Sequence, residues 1–531
     1  MLKFLNRPLF LGVFSGLLLA LSWYECLPSA TVFFGFVPLF IAFDKLFERN
    51  KGFWSVVLTA YIAFFTWSVF STWWIYNATM AGALLAFLIT AFMMSLVVVG
   101  YYFIRKYAGR TVGIFGFVAL WITYEQFFHN SEITWPWLTL GNSIGNHVWL
   151  IQWYEYTGVL GGSLWILIVN FFILGLFNSW KEKNVGRVYW YSIDLAILVL
   201  VPTIISLAIF YRYDEVPNSA KFVVVQPNID PYNEKFSGLT NEQQQDIILN
   251  LTSEAIDSTV DYVVCPESAI DDRLWEHTLS KNRSVMRIER FIESNPNVKW
   301  IVGAITMRQF SENDNVPPTA RKRNGGYVNT YNTAMQVDSS GEFQLYHKSK
   351  LVVGVEMMPY PKYIKALEKY SIDLGGFVGS FGSQPDRGVF FSPDGRFGIG
   401  PIICYESVFG EYVSDYVKNG ANILAVITND GWWGNTPGYV QHLTYSRIRA
   451  IEMRRSIVRS ANTGISALIN QRGDVVESLG WWKRGTITGT VNANNKITYY
   501  AKNGDYIGRL SAFLALLTFA VAFSRFLRRN K

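Results

Sequence analysis

Three short segments close apolar runs with groups that can make and break acyl bonds: Cys265-Pro-Glu267-Ser268, Tyr346-His-Lys348-Ser-Lys350 and Ile402-Ile-Cys404-Tyr-Glu406. A thiol attacks a carbonyl as its thiolate, so it needs a base, and the oxyanion it creates needs a cation or aligned N–H dipoles. A carboxylate, an ammonium and a thiol supply all three functions. Taken singly, each segment is weak. A cysteine at the end of an apolar strand is more often a buried structural residue, and a lone Glu or Lys is usually solvated. Spacing alone does not bring the three together.

Other chemistries find less support. Cys26, Cys265 and Cys404 are the only cysteines, too scattered for a disulfide framework or a paired metal site. Cys26 is no lipidation site, because Glu25 stands where a small residue is required. Cys265 reads as strand filling, with a minor alternative of a redox cross-link to Cys404. The histidines His129, His147, His277, His347 and His442 show no paired ligand spacing, so no metal is expected. Gly141-Asn-Ser143-Ile-Gly145 matches GxSxG but lacks the strand and helix that a nucleophile elbow needs. With no GxGxxG or Walker loop, no cofactor is expected. The net charge of +7 is spread in short clusters beside apolar runs, which suits membrane orientation better than nucleic acid.

The reactive segments need strands to hold them. From Lys221 onward, short β-branched runs alternate with polar helical stretches. Phe222–Gln226, Tyr262–Cys265, Trp300–Gly303, Asn332–Val337, Gly398–Cys404 and Ala421–Ile427 read as buried strands. Asn241–Ser258, Asn282–Ser294 and His442–Arg455 read as helices. This alternation predicts an α/β domain over 213–500 with both sheet faces covered.

The remainder is far more apolar. Half of the 531 residues are hydrophobic, and a helix crossing a bilayer needs about 20 such residues in a run. Seven spans are predicted within 1–212: Leu9–Trp23, Thr31–Phe43, Phe53–Trp74, Leu84–Phe103, Thr111–Tyr124, Gly158–Phe177 and Leu195–Tyr211. An eighth, Ile507–Ser524, lies within 501–531 ahead of a basic tail. Lys and Arg fill alternate loops, including Lys45, Arg49 and Lys51, then Arg105, Lys106 and Arg110, then Lys181, Lys183 and Arg187. The loop from Glu125 to Tyr156 has none. The positive-inside rule therefore predicts two cytoplasmic termini and an extracytoplasmic 213–506.

The three reactive segments, in this order, resemble the nitrilase superfamily, with its Glu-Lys-Cys triad on an αββα sandwich. With the flanking spans, nearly the whole chain is similar to the apolipoprotein N-acyltransferase family of bacterial membranes. Matching residues include Asn332, Glu356, Tyr405, Glu406, the loop Asn429-Asp-Gly-Trp-Trp-Gly434, Gln441-His442 with an Arg-rich helix Arg447 to Arg459, and Trp135-Pro-Trp-Leu138. One departure is Leu351-Val-Val-Gly-Val-Glu356, where the family usually has Leu-Val-Pro-Phe-Gly-Glu. The carboxylate is kept while its backbone frame differs.

The resemblance implies that Glu267 is the general base, Cys404 the nucleophile and Lys348 the cation beside the oxyanion. Glu356 and Glu406 would hold the lysine and shape the local field; Asn332, Tyr405 and Trp432 would support or bind. It implies acyl transfer from a phospholipid, through a Cys404 thioester, to the N-terminal amine of a diacylglyceryl-lipoprotein, by a monomer in the bacterial inner membrane. A membrane-tethered amidase using water is the rival enzyme. A transporter would more often carry charges within its spans, for which the candidate is Glu125 at the edge of Thr111–Tyr124. The Gly-rich stretch Gly375–Gly382 is the expected place for a lid.

Overall fold

The computed structural model describes residues 7–529 except 28, 50, 237, 324 and 358–379. It divides into two compact units, Met1–Arg212 with Asn503–Lys531, and Tyr213–Lys502. The stretch proposed as a lid falls outside the described residues as far as position 379.

In the first unit, seven helices among the described residues are long and apolar enough to cross a membrane: Ser29–Glu48, Phe53–Thr72, Met80–Ala108, Arg110–Asn130, Tyr154–Lys181, Val185–Arg212 and Tyr506–Arg529. The first expected span is shorter, a helix over Pro8–Leu21. At 14 residues it rises about 21 Å, less than the ~30 Å hydrocarbon core. It packs on Phe53–Thr72 through glycine: a Cβ on Gly16 would lie 2.3 Å from the Ala63 carbonyl oxygen, so only a bare backbone fits. The polar segment Tyr76–Thr79 does turn the chain, and Thr79 caps the next helix by accepting Gly82 N–H at 3.2 Å.

Asp44 accepts from Arg105 at 2.5 Å and from Arg110 at 2.9 Å. Two of the predicted basic loops therefore lie at one end of the bundle. Arg525 joins them by donating to the Ala108 carbonyl at 2.8 Å. Glu125, on the helix Arg110–Asn130, is 2% exposed and accepts from Trp121 Nε1 at 3.0 Å and Leu140 N–H at 2.8 Å. It ties the 3-10 turns after Trp135 to their helix. Ser143 of the GxSxG match donates to the Leu140 carbonyl inside one of those turns, with no strand before it.

The second unit is a two-sheet sandwich. One sheet runs Gly485–Asn492, Ser219–Gln226, Tyr262–Val264, Lys299–Phe310, Gly326–Val337, Arg321–Arg323, with Ile270–Trp275 and Phe343–His347 pairing off this path. The other runs Val475–Leu479, Ser466–Ile469, Ser456–Ala461, Ile423–Thr428, Gly398–Ile403, Phe390–Phe391. The helices Asn241–Ala255 and Arg283–Ser294 cover the first sheet, burying Ile248, Val285, Ile288 and Ile292 against Val223, Val263 and Trp300. Gly410–Lys418 and Pro437–Met453 pack with the second. Between the sheets, Ser460 Oγ donates to the Val225 carbonyl at 2.8 Å. All six expected strands form. The Arg-rich helix does not continue to Arg459: it ends at Met453, Arg454 takes the left-handed conformation (φ 48°), and Arg459 sits on the strand Ser456–Ala461.

Candidate active site

Glu267 follows the short parallel strand Tyr262–Val264. Cys265 N–H still bonds the Ile301 carbonyl at 2.8 Å, and Pro266, which lacks an N–H, then releases the chain from the ladder. Cys265 itself is fully buried in the core, as strand filling. Opposite, Gly303 lets the Glu267 backbone come close: a Cβ there would stand 2.5 Å from the Pro266 oxygen and 2.6 Å from Glu267 Cα. Ser268, in the left-handed region at φ 53°, turns the chain away again.

Lys348 follows Phe343–His347, its N–H bonded to the Asn332 carbonyl at 2.8 Å. Its ammonium, 1% exposed, donates to Glu267 Oε1 at 3.0 Å and to Glu356 Oε1 at 2.8 Å. Asn332 Nδ2 donates to the same two atoms, at 2.7 and 3.1 Å. Burial alone would favour the neutral amine, but Glu267, Glu356 and Cys404 outweigh it, and the Lys348 pKa stands well above the ordinary lysine value. The unusual loop still delivers its carboxylate. Gly354 makes the turn at φ 83°, and Val352 N–H donates to Glu356 Oε2 at 2.8 Å.

Cys404 ends the strand Gly398–Ile403 and opens a 3-10 turn, with φ 53°, a strained value for a non-glycine residue. Burial raises its thiol pKa, Glu267 raises it further, and Lys348 opposes both. The resting group is therefore a thiol within the field of a carboxylate and an ammonium. Thr428 also hydrogen-bonds this thiol.

Glu406 is fully buried, which removes the reading of it as a surface acid. Its Oε1 accepts from Ser349 N–H at 2.7 Å and Tyr346 Oη at 2.8 Å, and its Oε2 accepts from Ile403 N–H at 2.8 Å. It bonds the residues flanking Lys348 and Cys404. Tyr405 packs edge-on against Phe409 at 5.1 Å. Trp432 lines a cleft shared with Glu267, Asn332 and Glu356, stacked on Phe236 at 6.1 Å and edge-on to Tyr232 at 5.3 Å.

Sequence reasoning missed Lys235, Asp271 and Arg273, which line the same cleft. Burial lowers the Lys235 pKa against the pull of Asp271 and Glu267, and its Nζ donates to the Ser268 carbonyl at 2.7 Å. Their only signal was position, Asp271 and Arg273 on the strand Ile270–Trp275 just after Glu267 and Lys235 in a turn. Among the described residues no cluster of His, Cys, Asp or Glu is arranged to hold a metal ion.

Residues 224–499 match the family model described as carbon-nitrogen hydrolase. The chain belongs to that family. Residues 15–172 match a second model, the apolipoprotein N-acyltransferase N-terminal domain. Over 522 residues this carbon-nitrogen hydrolase family member is 29% identical to an apolipoprotein N-acyltransferase of Chlorobaculum tepidum, covering 95% of this chain and 94% of that protein. It is 25% identical to one from Geobacter metallireducens, covering 98% and 96%, and 25% identical to one from Thermotoga maritima, covering 96% and 93%. The likeness drawn from the reactive segments and the spans is borne out over the full length.

Proposed function

We propose that this membrane enzyme moves a fatty acyl chain from a phospholipid, through a thioester on Cys404, to the N-terminal amine of diacylglyceryl-cysteine on apolipoproteins. The observation that carries the reading is the Glu267–Lys348 contact at 3.0 Å with Cys404 in its field, in a chain similar end to end to apolipoprotein N-acyltransferases.

In the first half-reaction Glu267 takes the Cys404 proton as sulfur attacks the ester carbonyl. Lys348, kept cationic by two carboxylates, donates to the oxyanion. The ester C–O bond breaks, and Glu267 passes its proton to the departing lysophospholipid oxygen. In the second half the amine attacks the thioester, the C–S bond breaks, and Glu267 returns the amine proton to Cys404. Asn332 Nδ2 bridges Glu267 and Glu356 by donating to both, offsetting part of the repulsion between the two carboxylates.

Both substrates carry lipid chains whose removal from a bilayer costs about 0.8 kcal/mol per CH₂. The apolar helices of the first unit suit a site served by such molecules. We read the basic loops as cytoplasmic and the catalytic unit as extracytoplasmic, in a bacterial inner membrane, with the protein acting as a monomer. This orientation is supported by the joining of Asp44, Arg105 and Arg110 at one end of the bundle.

The test is intact-protein mass spectrometry after incubation with phospholipid vesicles. A hydroxylamine-labile gain of one acyl chain, absent in Cys404→Ala, is expected, followed by its loss to a diacylglyceryl-cysteine peptide. Release of free fatty acid with the peptide left unmodified would replace the transferase by a hydrolase.

A further inference from the structure

Beside the Cys404 turn lies an ion cluster that the acyl-transfer steps leave unused. Asp430, His442 and Arg459 are each fully buried. Charged groups sealed from water are costly unless every proton finds a partner. Arg459 Nη2 donates to Asp430 Oδ2 at 2.6 Å, and Asp430 Oδ1 lies 2.8 Å from His442 Nδ1. Arg459 Nη2 lies 3.1 Å from the same Nδ1, but the shorter contact is to the carboxylate, which when ionised only accepts, so Nδ1 carries a proton. The other imidazole nitrogen, Nε2, lies 3.1 Å from the Cys404 carbonyl oxygen and 2.9 Å from Ser407 Oγ. A carbonyl oxygen also only accepts, so the ring that holds it carries a proton on Nε2 as well and stands as a cation between Asp430 and the carbonyl. Ser407 Oγ donates to that same carbonyl at 2.8 Å.

The Cys404 carbonyl and the Tyr405 N–H belong to one planar trans peptide and point in opposite directions. Whatever fixes that oxygen also fixes where the N–H points. Cys404 is itself in a left-handed conformation at φ 53°, which persists only where the surroundings impose it. Two side chains meeting one carbonyl oxygen, one of them backed by a buried ion pair, are such surroundings.

We propose that His442, anchored by Asp430 and Arg459, is a positioning residue that clamps the Cys404 carbonyl together with Ser407 and so aims the Tyr405 N–H at the oxyanion. The inference rests on the reading of Cys404 as nucleophile. Lys348 would then stabilise the oxyanion from one side and this backbone donor from another.

The experiment uses the full-length protein and phosphatidylethanolamine vesicles as acyl donor, reading the rate of thioester formation. Cys404→Ala tests the underlying reading: an acyl adduct persisting in that variant removes the nucleophile and the clamp with it. In His442→Asn the amide still reaches Asp430 but falls short of the Cys404 carbonyl. The acylation kcat should fall about 100- to 1,000-fold, the range of a lost oxyanion donor, with KM within threefold of the parent. The iodoacetamide reaction of Cys404, which forms no oxyanion, should stay within threefold.

A purely structural cluster would lower the melting temperature and slow both reactions together, or neither. That result, or a folded variant acylating within threefold of the parent, overturns the proposal. If His442→Asn does not fold, Ser407→Ala answers the same question. It should slow acylation about tenfold with alkylation unchanged, and a change below twofold overturns the clamp.

Discussion

The Oε1 atom of Glu406 accepts the backbone N–H of Ser349 at 2.7 Å, so the residue two positions after Cys404 holds the residue directly after Lys348. Its other oxygen holds Ile403, directly before Cys404. One buried carboxylate thus sets the separation of two strand ends that come from different sheets. Glu406→Gln keeps the shape but replaces one acceptor oxygen by a donor facing donors. Stability should fall by about 1–3 kcal/mol, the cost of an unsatisfied buried group, and acylation should slow by at least tenfold. Thermal unfolding and thioester formation measure the two effects.

Lys348→Met should be more severe. It leaves Glu267 and Glu356 buried without their shared cation, and breaking a buried pair in this way costs about 3–5 kcal/mol. The variant should form no thioester above 1/100 of the parental rate, a barrier raised by about 3 kcal/mol. Adding Glu356→Gln removes one of the stranded charges, so the double variant should recover part of the stability and none of the activity. Recovery of activity would show that the ammonium does not act on the oxyanion.

Gly303→Ala tests how Glu267 is placed. The new methyl would meet the Pro266 oxygen at 2.5 Å, backbone against backbone, and one segment has to move. Overpacking of this kind costs about 1–3 kcal/mol. Thioester formation should slow by tenfold or more, because the displaced segment carries Glu267, the proposed base. Ala substitution at Gly480, whose Cβ would meet open space, is the control and should leave the rate unchanged.

Asp430 gives the acid stability a readable component. Burial pushes its pKa up, but Arg459 and His442 pull harder and bring it down to about 2. A carboxyl with a folded-state pKa below its unfolded value stabilises the fold above the unfolded value of 3.8 and loses that contribution as pH falls towards 2. The contribution is about 2 kcal/mol. Asp430→Asn should be less stable at pH 7, where it strands Arg459. Its stability should also decline less steeply than the parent's between pH 4 and pH 2 in denaturant titrations.

Much of this molecule was legible from local pattern alone. Apolar runs between charges located the helices from Ser29–Glu48 to Tyr506–Arg529, because crossing a bilayer depends on the length and hydropathy of a continuous segment. β-branched runs located the strands ahead of Glu267, Lys348 and Cys404, because a buried strand is a local preference as well. The first expected span, Leu9–Trp23, forms as the helix Pro8–Leu21.

Only tertiary structure decided what stands between those strands. Nothing within Ile-Ile-Cys404-Tyr-Glu406 says that the glutamate turns away to grip Ser349, 57 residues earlier, or that Asp430 and Arg459 pair across 29 residues. Residue types pointed to the chemistry and hydropathy marked the apolar helices. The positions of the charges relative to one another came from two sheets stacking, because an ion pair depends on distance in space and the chain between its partners carries no record of it.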